Sequence, residues 1–284
     1  MNAIFETIQN RHSVRTFEPR SIQEIKLTTL RTYMEANKVG PFGNTVTCRI
    51  IALEVDSERE LKKYVSYGNI KGARYFLAGS VKIGPHAPQD YGYCMEMYVL
   101  KATELGLGTV WLGGSLNRST FTDVLGMTEE DILPAIVPLG YAAERRSVMD
   151  VVIKTMSGGR NRKEFGSLFF LGTPDVPLDK ALCGSYADAL EAVRLAPSAR
   201  NLQPWRVIKE KDAQVFHFYE AGVPEKTAES RAIILQSNDL GIAMCHFELT
   251  AREAGLSGSW STEAPVLPAE GLSYVASWTG ARHV

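Results

Sequence analysis

The chain has 284 residues, 45% of them hydrophobic and 22% charged, with a formal net charge of -1. This is the balance of a globular protein long enough to bury a substantial core. So even a charge gives no reason to expect the concentrated basic face that a nucleic acid or an anionic membrane would need. No apolar run approaches the roughly 20 residues required to cross a bilayer. The first residues, MNAIFETIQNRHSVR, lack the apolar stretch of a signal peptide, which makes the cytoplasm the expected compartment. Cys48, Cys94, Cys183, Cys245 and the five histidines are scattered. Without zinc-ligand spacing, four buried free thiols and no metal site are expected.

In chain order, the first notable segment is IQNRHSVRTF, where Arg11, Ser13 and Arg15 alternate. In extended chain that spacing sends all three side chains to one side. Two guanidinium forks around a hydroxyl suit a phosphate monoester, and two solvated arginines beside a helix are the plainer alternative. Next, RTYMEANKVGPFGNTVTCRIIALEV reads as helix, Gly/Pro/Asn-rich loop and strand. The segment Asp90 to Trp111 reads as a helix starting near an Asp cap and closed at Gly106-Leu107. Its Met and aromatic residues, in CMEMYVL, read as core.

That helix recurs. DYGYCMEMYVLKATELGLGTVW lies without gaps on DLGIAMCHFELTAREAGLSGSW, Asp239 to Trp260, with nine identities in 22 positions, where chance gives about one or two. The upstream helix, loop and strand are echoed by EAVRLAPSARNLQPWRVIKEKD. A Gly-rich and basic stretch between the copies, Ser157 to Pro177, reads as a crossover. The chain is therefore expected to hold two halves, residues 1–164 and 165–284.

The loop APSARNLQPWRVI, Ala196 to Ile208, sets Ser, Asn and Gln between two prolines directly before a strand. Such a loop offers donors and acceptors to a heterocycle or a ribityl chain, or else satisfies only its own backbone. The run GLGTVWLGG, Gly106 to Gly114, is not a dinucleotide fingerprint. Its glycines follow a helix instead of a strand, and Trp111 stands where the third glycine belongs.

The Arg-x-Ser-x-Arg segment, the PSARNLQPW loop and the GLGTVWLGG run together resemble the FMN-dependent nitroreductases, over nearly the whole chain. Closest in pattern is the subgroup of nitroreductases with tandem halves. The resemblance implies an α+β fold with a mainly antiparallel sheet in each half, flanked by helices. The long helices ending at Leu105 and Ala254 would form the centre of an intramolecular pseudo-dimer. Family members are intertwined dimers whose flavin draws phosphate ligands from one subunit and the Ser/Asn loop from the other. Here the fused halves would complete one such site, because half one has only GPFGNTV where the loop belongs and half two has EFGSLFF without an Arg-x-Ser-x-Arg.

Carried over residue by residue, the resemblance gives Arg11, Ser13 and Arg15 to the phosphate and ribityl oxygens, with His12 between them. Pro197, Ser198, Asn201 and Gln203 would meet the flavin from the second half. Leu112, Gly113 and Gly114 would bring backbone N–H groups to flavin N5 and O4, where glycine permits close approach. Asn69 and Lys71 would add contacts, and Arg160 and Arg162 would reach the phosphate unless they are a solvated basic linker.

The implied activity is that of an FMN-dependent oxidoreductase with one FMN per chain. NAD(P)H would serve as transient reductant and a nitroaromatic, quinone or flavin as acceptor, in ping-pong order. The implied protein is a monomer, with no catalytic side chain beyond the cofactor. A flavin-binding protein with a sensing, storage or docking role is the alternative, and a remnant without flavin a third.

Overall fold

The computed structural model describes residues 3–53, 70–114, 118–144, 161–222, 231–267 and 269–281. Two compact units divide the chain, one of Asn10–Arg160 and one of Met1–Gln9 with Asn161–Val284. Helix α1 (Ala3–Asn10) thus lies mostly with the later residues, and its Ile4 N–H donates to Glu253 Oε2 at 2.8 Å.

The Asn10–Arg160 unit contains α2 (Glu24–Ala36), β1 (Val46–Ala52), β2 (Tyr75–Lys82), α3 (Ala87–Glu104) and β3 (Gly108–Thr109). After these come α4 (Arg118–Leu125), β4 (Asp131–Ile132) and β5 (Val137–Gly140). The sheet runs β1-β2-β5-β3 with β4 also on β2, and every pairing is antiparallel. On α2, Leu27, Leu30 and Met34 are buried, the 3- and 4-residue spacing of one helical face. Helix α3 is instead buried on all sides, Tyr91, Cys94, Met95, Tyr98 and Val99 being fully covered. Its run of apolar residues, unbroken by a polar stripe, has that cause.

The other unit contains β6 (Phe169–Leu171), α5 (Ala187–Leu195), β7 (Trp205–Lys209), β8 (Val215–Ala221), α6 (Arg231–Glu253), β9 (Gly258–Ser261) and β10 (Leu272–Gly280). Its sheet order is β6-β7-β8-β10-β9. The pair β6 and β7 is parallel, as their connection through α5 allows, and the other pairings are antiparallel. Phe247 of α6 centres an aromatic core, with ring centroids 5.2 Å from Phe216, 5.4 Å from Phe218 and 5.8 Å from Trp278. An α+β fold with mainly antiparallel sheets is what the resemblance implied.

Both copies of the repeat end alike. Gly106 (φ 73°) and Gly255 (φ 78°) are left-handed. The following N–H reaches back five residues in each, Leu107 to Ala102 O and Leu256 to Ala251 O, both at 2.9 Å. This is the six-to-one closure that a glycine after the last turn permits. The starts differ from expectation. Asp90 is the fourth residue of α3, which begins at Ala87 after a left-handed His86, and Asp239 is the ninth of α6. Neither is a cap; each carboxylate holds a neighbouring loop.

Candidate functional site

In the Asn10–Arg160 unit, the segment after α1 is sewn to the sheet by its backbone. The Val14 N–H donates to Thr109 O at 2.8 Å, Lys71 N–H to Arg15 O at 2.8 Å and Phe17 N–H to Lys71 O at 2.8 Å. Beyond it, Ala143 N–H donates to Thr16 O at 3.0 Å. The close fit depends on two glycines. A Cβ on Gly108 would meet Val14 Cγ2 at 2.7 Å, and one on left-handed Gly72 (φ 71°) would meet Phe17 O at 2.2 Å. Val14 and Phe17 bury their side chains.

The fold thus pairs the segment around Arg11–Arg15 with Lys71 and with Thr109, three residues before another stretch singled out in the sequence, Leu112–Gly114. The last is fixed by a reciprocal Leu112–Ile136 backbone pair at 2.9 and 3.0 Å. Ser13 and His12 are exposed and Arg15 is half-buried. His12 Nδ1 lies 3.0 Å from Asn10 O. Asn69 and Arg160 lie outside the described residues.

Arg11 departs from the expected alternation. Its side chain is 6% exposed, with Nε 3.9 Å from Oε1 of the fully buried Glu96. Glu96 Oε2 accepts the Trp111 indole N–H at 2.8 Å. Burial lowers the Arg11 pKa and Glu96 opposes that shift. Arg11 Nε and Nη1 are buried without a hydrogen-bond partner among the described residues. Each unsatisfied buried donor costs about 1–3 kcal/mol, more when charged.

In the other unit, the Ser198–Gln203 loop has an uncommon backbone. Arg200, Asn201 and Gln203 are left-handed, with φ of 52°, 55° and 49°, where only Asn is at ease. Polar contacts hold it there. Gln203 N–H donates to Ser198 Oγ at 2.9 Å, and Ala199 N–H donates to Asp239 Oδ2 at 2.9 Å. Arg162 gives Nη1 to Asn201 Oδ1 at 2.9 Å and Nη2 to Leu195 O at 3.0 Å. Asn201 Nδ2 donates to Asn161 O at 2.7 Å, and Lys163 N–H donates to Gln203 Oε1 at 2.9 Å.

Arg162 therefore clamps the loop through two of its donors, a role that its place in the basic crossover did not suggest. Gln203 is buried, Ser198 and Pro197 half-buried. Burial lowers the Lys163 pKa, and the neighbouring Arg206 lowers it further.

Sequence reading missed Glu96, Asp239 and Glu220. Asp239 carried a signal, since it repeats Asp90 at the head of the aligned segments. Among the described residues no three His, Cys, Asp or Glu side chains cluster to hold a metal, and no helix is long and apolar enough to cross a membrane.

The residues present fit an anionic, heterocyclic cofactor such as FMN. Arg11, paired at 3.9 Å with Glu96, has two buried cationic donors without a hydrogen-bond partner among the described residues, and Ser13 and Arg15 stand on the same short segment. A family model described as "Putative TM nitroreductase" matches residues 3–251. The crystal structure of a putative nitroreductase from Thermotoga maritima MSB8 is similar at 23% identity and TM-score 0.61, covering 98% of this chain and 94% of that one. A putative NADH dehydrogenase/NAD(P)H nitroreductase from Parabacteroides distasonis ATCC 8503 is similar at 18% identity and TM-score 0.43, covering 52% of this chain and 91% of that one. No curated protein matches the chain. On the match from residue 3 to residue 251, the chain belongs to this nitroreductase family of flavin-dependent oxidoreductases.

Proposed function

We propose that this chain binds one FMN and acts as an NAD(P)H-dependent reductase of electron-poor acceptors. The observation that carries the cofactor reading is the Arg11 guanidinium, buried with two donors unsatisfied among the described residues on the segment that also carries Ser13 and Arg15. A phosphate would supply the missing acceptors, and charge-assisted bonds of that kind are the strong ones.

In this reading Arg11, Ser13 and Arg15 hold the phosphate and ribityl oxygens, with His12, Asn69 and Lys71 beside them. Leu112, Gly113 and Gly114 present backbone to the flavin ring. Ser198, Asn201 and Gln203, after Pro197, form the loop that the second half contributes. Arg162 orders that loop, and Arg160 belongs to the same basic crossover. When bound, FMN would supply the redox chemistry, hydride transfer from a nicotinamide to an electron-poor acceptor such as a nitroaromatic, quinone or flavin. The protein's part is to position the ring, fix the loop and exclude water. The reading extends to an internal duplication, with halves 1–164 and 165–284, in a monomeric cytoplasmic protein.

The test is the visible spectrum of the purified protein, with the flavin released, identified and counted, followed by steady-state oxidation of NADH and NADPH with a quinone present. One FMN per chain and turnover above that of free FMN are expected. Binding without turnover would leave a flavin carrier, and no binding after incubation with FMN would end the reading. Arg15→Ala should weaken FMN binding by about 1.5–3 kcal/mol, the worth of a charged hydrogen bond; unchanged affinity removes Arg15 from the site.

A further inference from the structure

Two buried carboxyl groups adjoin the Ser198–Gln203 loop. Glu220 of β8 is 4% exposed and Asp239 of α6 is 3% exposed. Asp239 Oδ2 accepts the loop's Ala199 N–H at 2.9 Å. Glu220 faces Trp205 of β7 and Ser273 of β10 in the ladder, and Ser237 of α6 donates to its Oε2 at 3.3 Å. Ala221 N–H, the next residue, donates to Pro204 O at 2.8 Å. The end of the loop is thus tied to the strand that carries Glu220, and its start to Asp239.

Among the described residues Glu220 Oε1 is buried without a hydrogen-bond partner, as are Trp205 Nε1 and Asn238 Oδ1. Asp239 feels the Glu220 carboxyl, and neither group feels a cation among the described residues. Burial pushes Glu220 up to about 7. It pushes Asp239 well above the usual carboxylate range, with Glu220 adding to the effect and the Ala199 N–H opposing it.

We propose that Glu220 and Asp239 are positioning residues for the Ser198–Gln203 loop, holding its left-handed backbone while the pair is protonated and releasing it when Glu220 ionises. An ionised Glu220 has one oxygen without a donor, and a buried unpaired carboxylate draws in water or moves outward. Either displaces Trp205 and Pro204, which share its ladder. Three left-handed residues of which only one is Asn do not keep their shape unaided, since side chains other than Asn are strained there. The consequence for flavin rests on the function proposed above; the loop clamp itself does not.

Two readouts separate these. The first is hydrogen exchange of the Ala199 amide in FMN-free protein between pH 6 and 8.5, corrected for intrinsic exchange. The second is the FMN dissociation constant over the same range. Protection should fall about tenfold, and the dissociation constant rise about tenfold, around a midpoint near 7, and Glu220→Gln should flatten both. Ser237→Ala, a milder change, removes a donor to the carboxylate and should move the midpoint upward. Protection that is independent of pH, or a Glu220→Gln profile that overlays the wild type, overturns the proposal. Titrating protection in a protein that binds no FMN supports the clamp and rejects the flavin reading.

Discussion

The loops held by Asp90 and Asp239 stand at matching places in the aligned segments and differ in opposite directions. Asp90 accepts three bonds, from Phe42 N–H at 3.0 Å, Asn44 N–H at 2.9 Å and Asn44 Nδ2 at 2.8 Å. Its loop passes so close that a Cβ on Gly40 would lie 2.3 Å from Asp90 Cγ, and its positive φ falls on a glycine, Gly43. Asp239 accepts one bond, and its loop places positive φ on Arg200, Asn201 and Gln203. The first loop is a turn whose donors Asp90 satisfies and whose positive φ costs nothing at glycine. The second carries strain together with polar side chains.

The largest expected contrast lies one turn pair further along the repeat, where Tyr98 and Phe247 are equivalent. Phe247 is fully buried among Phe216, Phe218, Trp260 and Trp278. Phe247→Ala should cost about 3–5 kcal/mol of stability through lost burial and a cavity. Tyr98 donates its hydroxyl to Asn37 O at 3.0 Å, so Tyr98→Phe should cost only about 1 kcal/mol, one net hydrogen bond. Urea unfolding of both variants measures the difference. A Phe247→Ala loss no larger than that of Tyr98→Phe would mean that the aromatic core around Phe247 contributes little.

A smaller effect separates the aspartates themselves. Asp90→Ala strands three donors and should cost about 1–3 kcal/mol of stability while leaving FMN affinity unchanged. Asp239→Ala strands one donor and removes a carboxyl group that burial already disfavours. Stability should therefore change by less than about 1 kcal/mol, and FMN affinity should fall. If Asp90→Ala weakened FMN instead, the contrast between the loops would have been drawn the wrong way round.

Much of this was legible before the structure. Helix, loop and strand appear where both echoes placed them, as α2 to β1 and α5 to β7, because hydrophobic periodicity and Gly/Pro punctuation are local signals. The glycines closing α3 and α6 were likewise legible. The role of Asp90 and Asp239 was not, since a polar residue ahead of an apolar run reads as a cap unless its partner, some 40 residues upstream, is known. The buried pairs Glu96–Trp111 and Glu248–Trp260, at 2.8 and 2.7 Å, were hidden for another reason. Glu96 aligns with Cys245, and Glu248 with Val99, so the two halves solve the same indole problem from different turns and self-comparison shows nothing. The left-handed run also has no sequence signature beyond Asn201.

The smallest effect concerns pH and sets two groups of one unit against each other. His217 Nδ1 lies 2.7 Å from Ser277 Oγ and its Nε2 3.1 Å from Glu210 Oε1, with Ser277 Oγ 2.8 Å from Tyr274 OH. Burial lowers the His217 pKa and Glu210 opposes the shift. The native state therefore binds fewer protons than the unfolded chain below the ordinary imidazole value of about 6.5, and stability falls as pH drops through it. Glu220 acts with the opposite sign. Raised to about 7, it keeps a proton that the unfolded chain releases above about 4.5, so its cost grows as pH rises from there to 7. Wild-type stability across pH 5–7 is thus a partial cancellation, and single variants expose its parts. His217→Gln should leave a curve that declines more steeply with rising pH, and Glu220→Gln one that declines less, with Asp239 adding to the decline in both. Parallel curves for both variants would mean that neither group changes its proton affinity on folding.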